Sequence, residues 1–274
     1  MAAQSLKDRL AQTAIVRAPG IYDALTAALA EKAGFEAVFV SGSAVAFSQL
    51  ARPDIGLVSM TEMADVVARV RDRVDIHLFV DADSGFGNAL SVARTVRAFE
   101  RAGASGIQIE DQIDVKPDGQ ETTRPLVSAD AMVGKIRAAL DARHDGNTVI
   151  SARSDAMFST GLDDAMDRAA RYAEAGADMV FVEGLKTAGE RHRLCDLLSG
   201  KVPLLFNLMK PGADGMPTPD GLQGEGYSVV LFPGTAIGAA SNAAWQALNL
   251  LNGNDIGTDS VAITDLIDQK EFLG

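Results

Sequence analysis

Four times in this chain a helical pattern closes on a small residue and a glycine, and a run of strand formers follows at once. Lys32-Ala33-Gly34-Phe35 leads into Ala37-Val38-Phe39-Val40, and Arg101-Ala102-Gly103-Ala104 into Gly106-Ile107-Gln108-Ile109. Glu174-Ala175-Gly176-Ala177 leads into Met179-Val180-Phe181-Val182, and Gly224-Glu225-Gly226-Tyr227 into Ser228-Val229-Val230-Leu231-Phe232. A glycine just past a helix takes the left-handed cap at no steric cost. Short strands apolar on both faces are those of a parallel sheet covered by helices. Further strands are expected at 14–17, 76–81, 148–152 and 202–207, which makes eight. Amphipathic segments between them predict helices near 22–33, 59–72, 88–102, 128–142, 162–175, 186–198, 216–225 and 234–248.

Eight strand and helix units in 274 residues fit a single closed (β/α)8 barrel of TIM type, for which about 250 residues is usual. The competing fold, a doubly wound open sheet, requires a dinucleotide fingerprint after its first strand, and Arg17-Ala18-Pro19-Gly20 is not one. The barrel is expected to occupy residues 1–250. The tail, 251–274, carries Ile256, Val261, Ile263, Leu266 and Ile267 among polar residues. It is too apolar for a disordered segment and is expected to pack on a neighbouring subunit.

With 47% hydrophobic residues but only three tyrosines and one tryptophan, the core must be aliphatic. The lone Cys195 excludes an intramolecular disulfide and reads as a buried small hydrophobe on a helix. A formal net charge of -12 argues against a nucleic-acid partner, because phosphate contacts need concentrated lysine and arginine. The sequence shows neither a long apolar run nor a signal-peptide start, so the expectation is a cytoplasmic protein without a membrane partner.

In such a barrel, chemistry belongs at the C-terminal ends of the strands. Strand three ends Val80-Asp81-Ala82-Asp83-Ser84-Gly85-Phe86-Gly87-Asn88, two alternating carboxylates before a glycine-rich turn. Strand alternation would aim Asp81 and Asp83 to one side, an arrangement suited to magnesium, which prefers oxygen ligands and keeps several waters. Strand two ends in Ser41-Gly42-Ser43, able to hold a carboxylate or phosphate, and Asp54 follows in the next loop. Strand four ends Glu110-Asp111-Gln112, strand five Ser151-Ala152-Arg153-Ser154-Asp155, strand six in Glu183 and strand seven in Asn207. An arginine at the depth of Arg153 is costly unless it faces an anion. His77 falls inside strand three, His144 in a polar turn and His192 on a helix, so neither a histidine base nor a three-histidine zinc site is expected.

Asp81 to Asn88, Glu110-Asp111-Gln112, Ser151 to Asp155 and Ser41-Gly42-Ser43 together resemble the motifs of the isocitrate lyase and phosphoenolpyruvate mutase superfamily, over about residues 5–250. The resemblance implies a modified β/α barrel whose last helix is often swapped between subunits of a homodimer or homotetramer. It also implies an α-keto or α-hydroxy acid bound on Mg2+, with Mn2+ as a substitute, and an enolate-like intermediate. By the same resemblance Asp81 and Asp83 would be the main metal-side carboxylates, and Asp54 and Glu110 would act through water. Ser41, Gly42, Ser43 and Arg153 would clamp the substrate carboxylate. Glu183 and Asn207 complete the candidate substrate-binding set.

One departure bears on the reaction. The family's lyase branch carries Lys-Lys/Arg-Cys-Gly-His after strand four, the cysteine protonating the departing enolate. Here the stretch reads Lys116-Pro117-Asp118-Gly119-Gln120. Asp118, Arg153 and Lys116 are therefore the catalytic candidates, with Asp118 or a water handling the proton. Pro117-Asp118-Gly119 also reads as an ordinary turn on a mobile lid. The expected function is cleavage of a carbon–carbon bond in a small 2-hydroxy or 2-keto dicarboxylate, by alkylmalate- or methylisocitrate-like cleavage or oxaloacetate decarboxylation. The alternative is a phosphonopyruvate or carboxyphosphonate mutase or hydrolase, using Lys116, Thr122, Thr123 or Arg124 toward phosphorus.

Overall fold

The structure is a computed structural model that describes residues 4–113, 116, 123–254, 257 and 259–261. Eight parallel strands pair in chain order and close on themselves, β1 (Val16–Ile21), β2 (Ala37–Val40), β3 (His77–Asp81), β4 (Gly106–Glu110), β5 (Val149–Ser154), β6 (Met179–Val182), β7 (Leu204–Asn207) and β8 (Val229–Phe232). All eight expected strands are present. The helices around them are α1 (Leu6–Leu10), α2 (Ala24–Lys32), α3 (Gly42–Leu50), α4 (Met60–Arg73) and α5 (Ala89–Ala102), then α6 (Ala129–Ala142), α7 (Leu162–Glu174), α8 (Ala188–Leu198), α9 (Pro219–Glu225) and α10 (Thr235–Leu251).

The two faces of each strand serve two cores. Inward-facing Val16, Ala18, Ala37, Phe39, Phe79, Val149, Met179, Phe181, Leu205, Val229 and Leu231 fill the barrel, and Leu6 and Leu10 of α1 close it from below. Outward-facing Val38, Leu78, Val80, Ile107, Ile109, Ile150 and Val180 meet the helices. Helix α5 shows how the pattern works. Its buried Val92, Val96 and Phe99 share one face, each contributing about 1.5–3 kcal/mol on burial. Asn88 caps its start by accepting from the Leu90 and Ser91 amides, and Gly103, at φ +100°, ends it in the left-handed cap the repeat predicts.

Four expectations need correction. Strand β1 runs past Arg17 through Pro19 and Gly20, pairing with β8 as far as Pro19 and with β2 at Gly20 and Ile21. Gly20 is required because a Cβ there would lie 2.2 Å from the Pro233 carbonyl oxygen. Helix α1 was not foreseen, since five residues give too short a period to register. Nor was α3, because Ser41-Gly42-Ser43 reads as a turn; Ser41 is instead its N-cap, accepting from the Ala44 amide. Helix α9 starts later than expected, at Pro219 behind the Thr218 cap. Helix α10 runs to Leu251, with Leu248, Leu250 and Leu251 exposed, and most of the following tail lies outside the described residues.

Candidate active site

The C-terminal mouth of the barrel collects Asp81, Glu110 and Arg153 on the inward faces of β3, β4 and β5. Asp81 ends β3 and accepts from the Gly42 amide at 3.3 Å through Oδ2, and from the Asp83 amide at 3.2 Å through Oδ1. Asp83 has left the strand. Its φ is +45°, so its carboxylate reaches the mouth through a left-handed turn and not by strand alternation as expected. That turn is stitched to β4, where the Asp83 carbonyl accepts from the Glu110 amide at 2.8 Å and the Ala82 amide donates to the Gln108 carbonyl at 2.9 Å. Gly85, at φ +87°, lets the loop pass over α5, where a Cβ would fall 2.3 Å from Val92.

Lys116 is buried with its ammonium among the carboxylates, 2.6 Å from Asp83 Oδ1 and 3.4 Å from both Asp54 Oδ1 and Glu110 Oε1. The Arg153 guanidinium lies 3.4 Å from Glu110 Oε2 and 3.8 Å from Glu183 Oε2, and holds both oxygens of Asp155 at 2.9 Å. Asn207 donates to Glu183 Oε2 at 2.9 Å. The structure thus brings Asp54, Asp81, Asp83, Glu110, Lys116, Arg153, Glu183 and Asn207 into one linked set. Ser41 and Ser43 meet each other, their hydroxyl oxygens 3.1 Å apart at the start of α3. Asp118 lies outside the described residues.

Burial dominates the electrostatics. It pushes Asp81 up to about 7, with the charge of Asp83 adding to the effect. It pushes Glu110 up to about 8, where Asp155 and Asp83 add and Lys116 and Arg153 oppose. Asp54 is raised in the same way, against the pull of Lys116. For Lys116 burial works to lower the value, but Asp54, Asp83, Glu110 and Asp81 hold it well above the usual range. Arg153 is likewise held up by Asp155, Glu110 and Glu183.

Two neighbours of these residues do other work. Asp111, one position past Glu110, points away from the mouth. It accepts from Tyr172 at 2.6 Å, Ser154 at 2.9 Å, Arg168 at 3.1 Å and the Asp155 amide at 2.9 Å, which fastens β4 to β5 and α7. Asp155, to which the sequence assigned no role, lies just past the end of β5 and proves to be the partner of Arg153. Cys195 is buried, and its thiol is pushed up to about 11 by burial.

The mouth suits a hard divalent cation. Its donors are carboxylate oxygens, which magnesium takes in preference to nitrogen or sulfur. Glu110 Oε1 is buried without a hydrogen-bond partner among the described residues. The seating of the Lys116 ammonium shows the local field drawing in positive charge. Among the described residues no three His, Cys, Asp or Glu side chains converge as a closed ligand set, so waters would supply most of an octahedral shell.

Comparison with known proteins agrees with this geometry. The family model described as phosphoenolpyruvate phosphomutase matches residues 6–251. The chain is 37% identical over 273 residues to the 2,3-dimethylmalate lyase of Eubacterium barkeri, covering 98% of this chain and 92% of the relative. It is 40% identical over 267 residues to the 2-methylisocitrate lyase of Aeropyrum pernix, covering 97% and 84%. The solved structure of oxaloacetate acetylhydrolase in complex with 3,3-difluorooxalacetate superposes with a TM-score of 0.84 at 26% identity, covering 99% of this chain and 94% of that one. Fold, rim and relatives converge, and the chain belongs to the phosphoenolpyruvate mutase/isocitrate lyase superfamily, close to its 2-methylisocitrate lyase-like branch.

Proposed function

We propose that this protein is a magnesium-dependent lyase that cleaves a carbon–carbon bond of a small 2-hydroxy or 2-keto dicarboxylate through an enolate-like intermediate. The observation that carries the reading is the set of buried carboxylates Asp81, Asp83 and Glu110, with the half-buried Asp54, gathered around Lys116 and Arg153 at one end of the barrel. The names of the lyase relatives support it. Asp81 and Asp83 would hold Mg2+, or Mn2+, with Asp54 and Glu110 holding its waters; bound there, it would polarise the substrate oxygens.

The remaining work belongs to the chain. The Arg153 guanidinium holds the substrate carboxylate with the N–H groups that Asp155 leaves over, aided by the start of α3 at Ser43. Glu183 and Asn207 orient its polar substituents. As the carbon–carbon bond of a 2-hydroxy substrate breaks, its electron pair passes into the enolate while the 2-hydroxyl proton passes to a water at the mouth. Lys116 and Arg153 offset the charge that develops, and Asp118 or a water returns a proton to the enolate carbon.

The phosphorus alternative fits less well. Of the residues it would turn toward phosphorus, Lys116 is bound to Asp83 and Arg124 to Asp155. We also propose that residues 1–250 form the catalytic unit and that the tail, 251–274, seats on a neighbouring copy in a homodimer or homotetramer. The exposed Leu248, Leu250 and Leu251 next to it support that assignment. No helix among the described residues is long and apolar enough to cross a membrane.

The deciding experiment is a Mg2+-dependent screen with alkylmalates, methylisocitrate, isocitrate, oxaloacetate and phosphonopyruvate, read by coupled pyruvate or glyoxylate detection with phosphate followed in parallel. Keto acid without phosphate is expected, and Asp83→Ala should abolish it. Phosphate release, or turnover that persists in EDTA, overturns the proposal.

A further inference from the structure

We propose that Arg124 is a positioning residue for the substrate anion: it takes up the charge of Asp155 and so leaves the Arg153 guanidinium with charge to offer a bound carboxylate. The inference rests on the lyase reading of the barrel mouth.

Asp155 is fully buried. Its Oδ2 accepts from Arg153 Nε at 2.9 Å, and its Oδ1 from Arg153 Nη2 at 2.9 Å. This is the fork-to-fork geometry in which one guanidinium and one carboxylate neutralise each other. Left as a simple pair, Arg153 would be spent on Asp155, and it also faces Glu110 at 3.4 Å and Glu183 at 3.8 Å. Three carboxylates would share one cation. Arg124 changes this balance, because its Nη1 donates to the same Oδ1 of Asp155. In a site shielded from water a second cation on one carboxylate is felt strongly by the first.

Arg124 is itself held in place. Its amide donates to Ser159 Oγ at 3.1 Å, its carbonyl accepts from the Ser159 hydroxyl, and its guanidinium lies over the Phe158 ring, 3.9 Å from the centroid. Phe158 in turn rests against Gly184, where a Cβ would be 2.8 Å from the ring. The stack Arg124–Phe158–Gly184 ends next to Glu183, whose carboxylate faces the same Arg153 Nη2 as Asp155 Oδ1. Arg124 thus holds Asp155 directly, and the ring it covers rests on the glycine that follows Glu183.

The test compares Arg124→Met, Arg124→Lys and the double variant Arg124→Met/Asp155→Asn in oxalate binding with Mg2+, measured by titration calorimetry. Arg124→Met is expected to weaken oxalate about tenfold or more, the scale of a lost charge-assisted interaction. Arg124→Lys should keep most of the affinity, and Asp155→Asn in the Met background should restore it, since the charge to be neutralised is gone. Wild-type affinity in Arg124→Met, or a loss that Asp155→Asn does not relieve, overturns the proposal. A readout without ligand separates it from the lyase reading. In 15N arginine spectra, with Arg153 assigned by Arg153→Lys, the Arg153 Nε proton should exchange more slowly in Arg124→Met as its pair with Asp155 tightens. Unchanged or faster exchange overturns the inference even if oxalate binds, and failure of the wild type to bind oxalate counts against the lyase reading alone.

Discussion

The Lys116 ammonium lies 2.6 Å from the Asp83 carboxylate at the mouth of the barrel, and both residues are buried. This pair links the loop after β4 to the turn after β3, and it puts a positive charge among Asp54, Asp83 and Glu110. Removing one member of such a buried pair leaves the others without compensation, at about 3–5 kcal/mol. Lys116→Met is therefore expected to lower the melting temperature of the metal-free protein, and Mg2+ should recover much of the loss by supplying the missing charge. Equal melting temperatures for variant and wild type in EDTA would show that the carboxylates do not need the lysine.

The raised carboxylates set a pH dependence. Asp81 and Glu110 rise from ordinary values of 3.8 and 4.5 to about 7 and about 8 in the fold. Between those limits the folded chain holds more protons than the unfolded one, so their contribution to stability is present at low pH and is lost as pH rises. Metal-free protein should melt at progressively lower temperature from about pH 5 to about pH 8, and Mg2+, which favours the charged carboxylates, should protect more as pH rises. Melting curves in EDTA and in Mg2+ across that range check this. A metal-free melting temperature that climbs with pH would contradict it.

Gly85 is the backbone hinge of the turn that carries Asp83. At φ +87°, with Val92 Cγ2 only 2.3 Å from where a Cβ would stand, Gly85→Ala combines a left-handed alanine with overpacking. The two costs together come to about 2–5 kcal/mol. Urea denaturation should show that loss, and Mg2+-dependent turnover should fall with it as Asp83 shifts. A variant as stable as wild type would mean that the loop relaxes away from α5 freely.

By the resemblance, Asp118 would stand where the lyase branch of the family carries its acid. If it moves the proton to or from the enolate, Asp118→Ala should cut turnover about 100-fold or more, with substrate affinity changed far less. Saturating turnover equal to wild type would assign the step to a water.

How much of this was legible in the chain depends on the range of the forces involved. The eight strands, the glycine cap at Gly103 and the strand-end placement of Asp81, Glu110 and Arg153 follow from neighbours a few residues apart. The corrections lie where local signals are weak or double-edged. Five residues of α1 carry too little periodicity to be seen, yet Leu6 and Leu10 close the barrel floor. Ser41-Gly42-Ser43 has turn chemistry and helix-capping chemistry at once, and the start of α3 uses the second.

The sequence by itself determined the barrel and the strand ends that carry Asp81, Glu110 and Arg153, because hydrophobic period, glycine caps and strand alternation act within a turn or a pleat. Only the tertiary structure decided what those residues do for one another. Lys116 sits on the loop after β4, and its long side chain acquires its partners only when closure of the barrel brings Asp54, Asp83 and Glu110 together. Glu110 and Asp111 are adjacent acids with opposite fates, one facing the site and the other tied to Tyr172 and Arg168. Arg124 and Arg153 meet on Asp155 for the same reason. Buried charges settle their pairing through the whole enclosure and the loss of water around it, which no local stretch of sequence encodes.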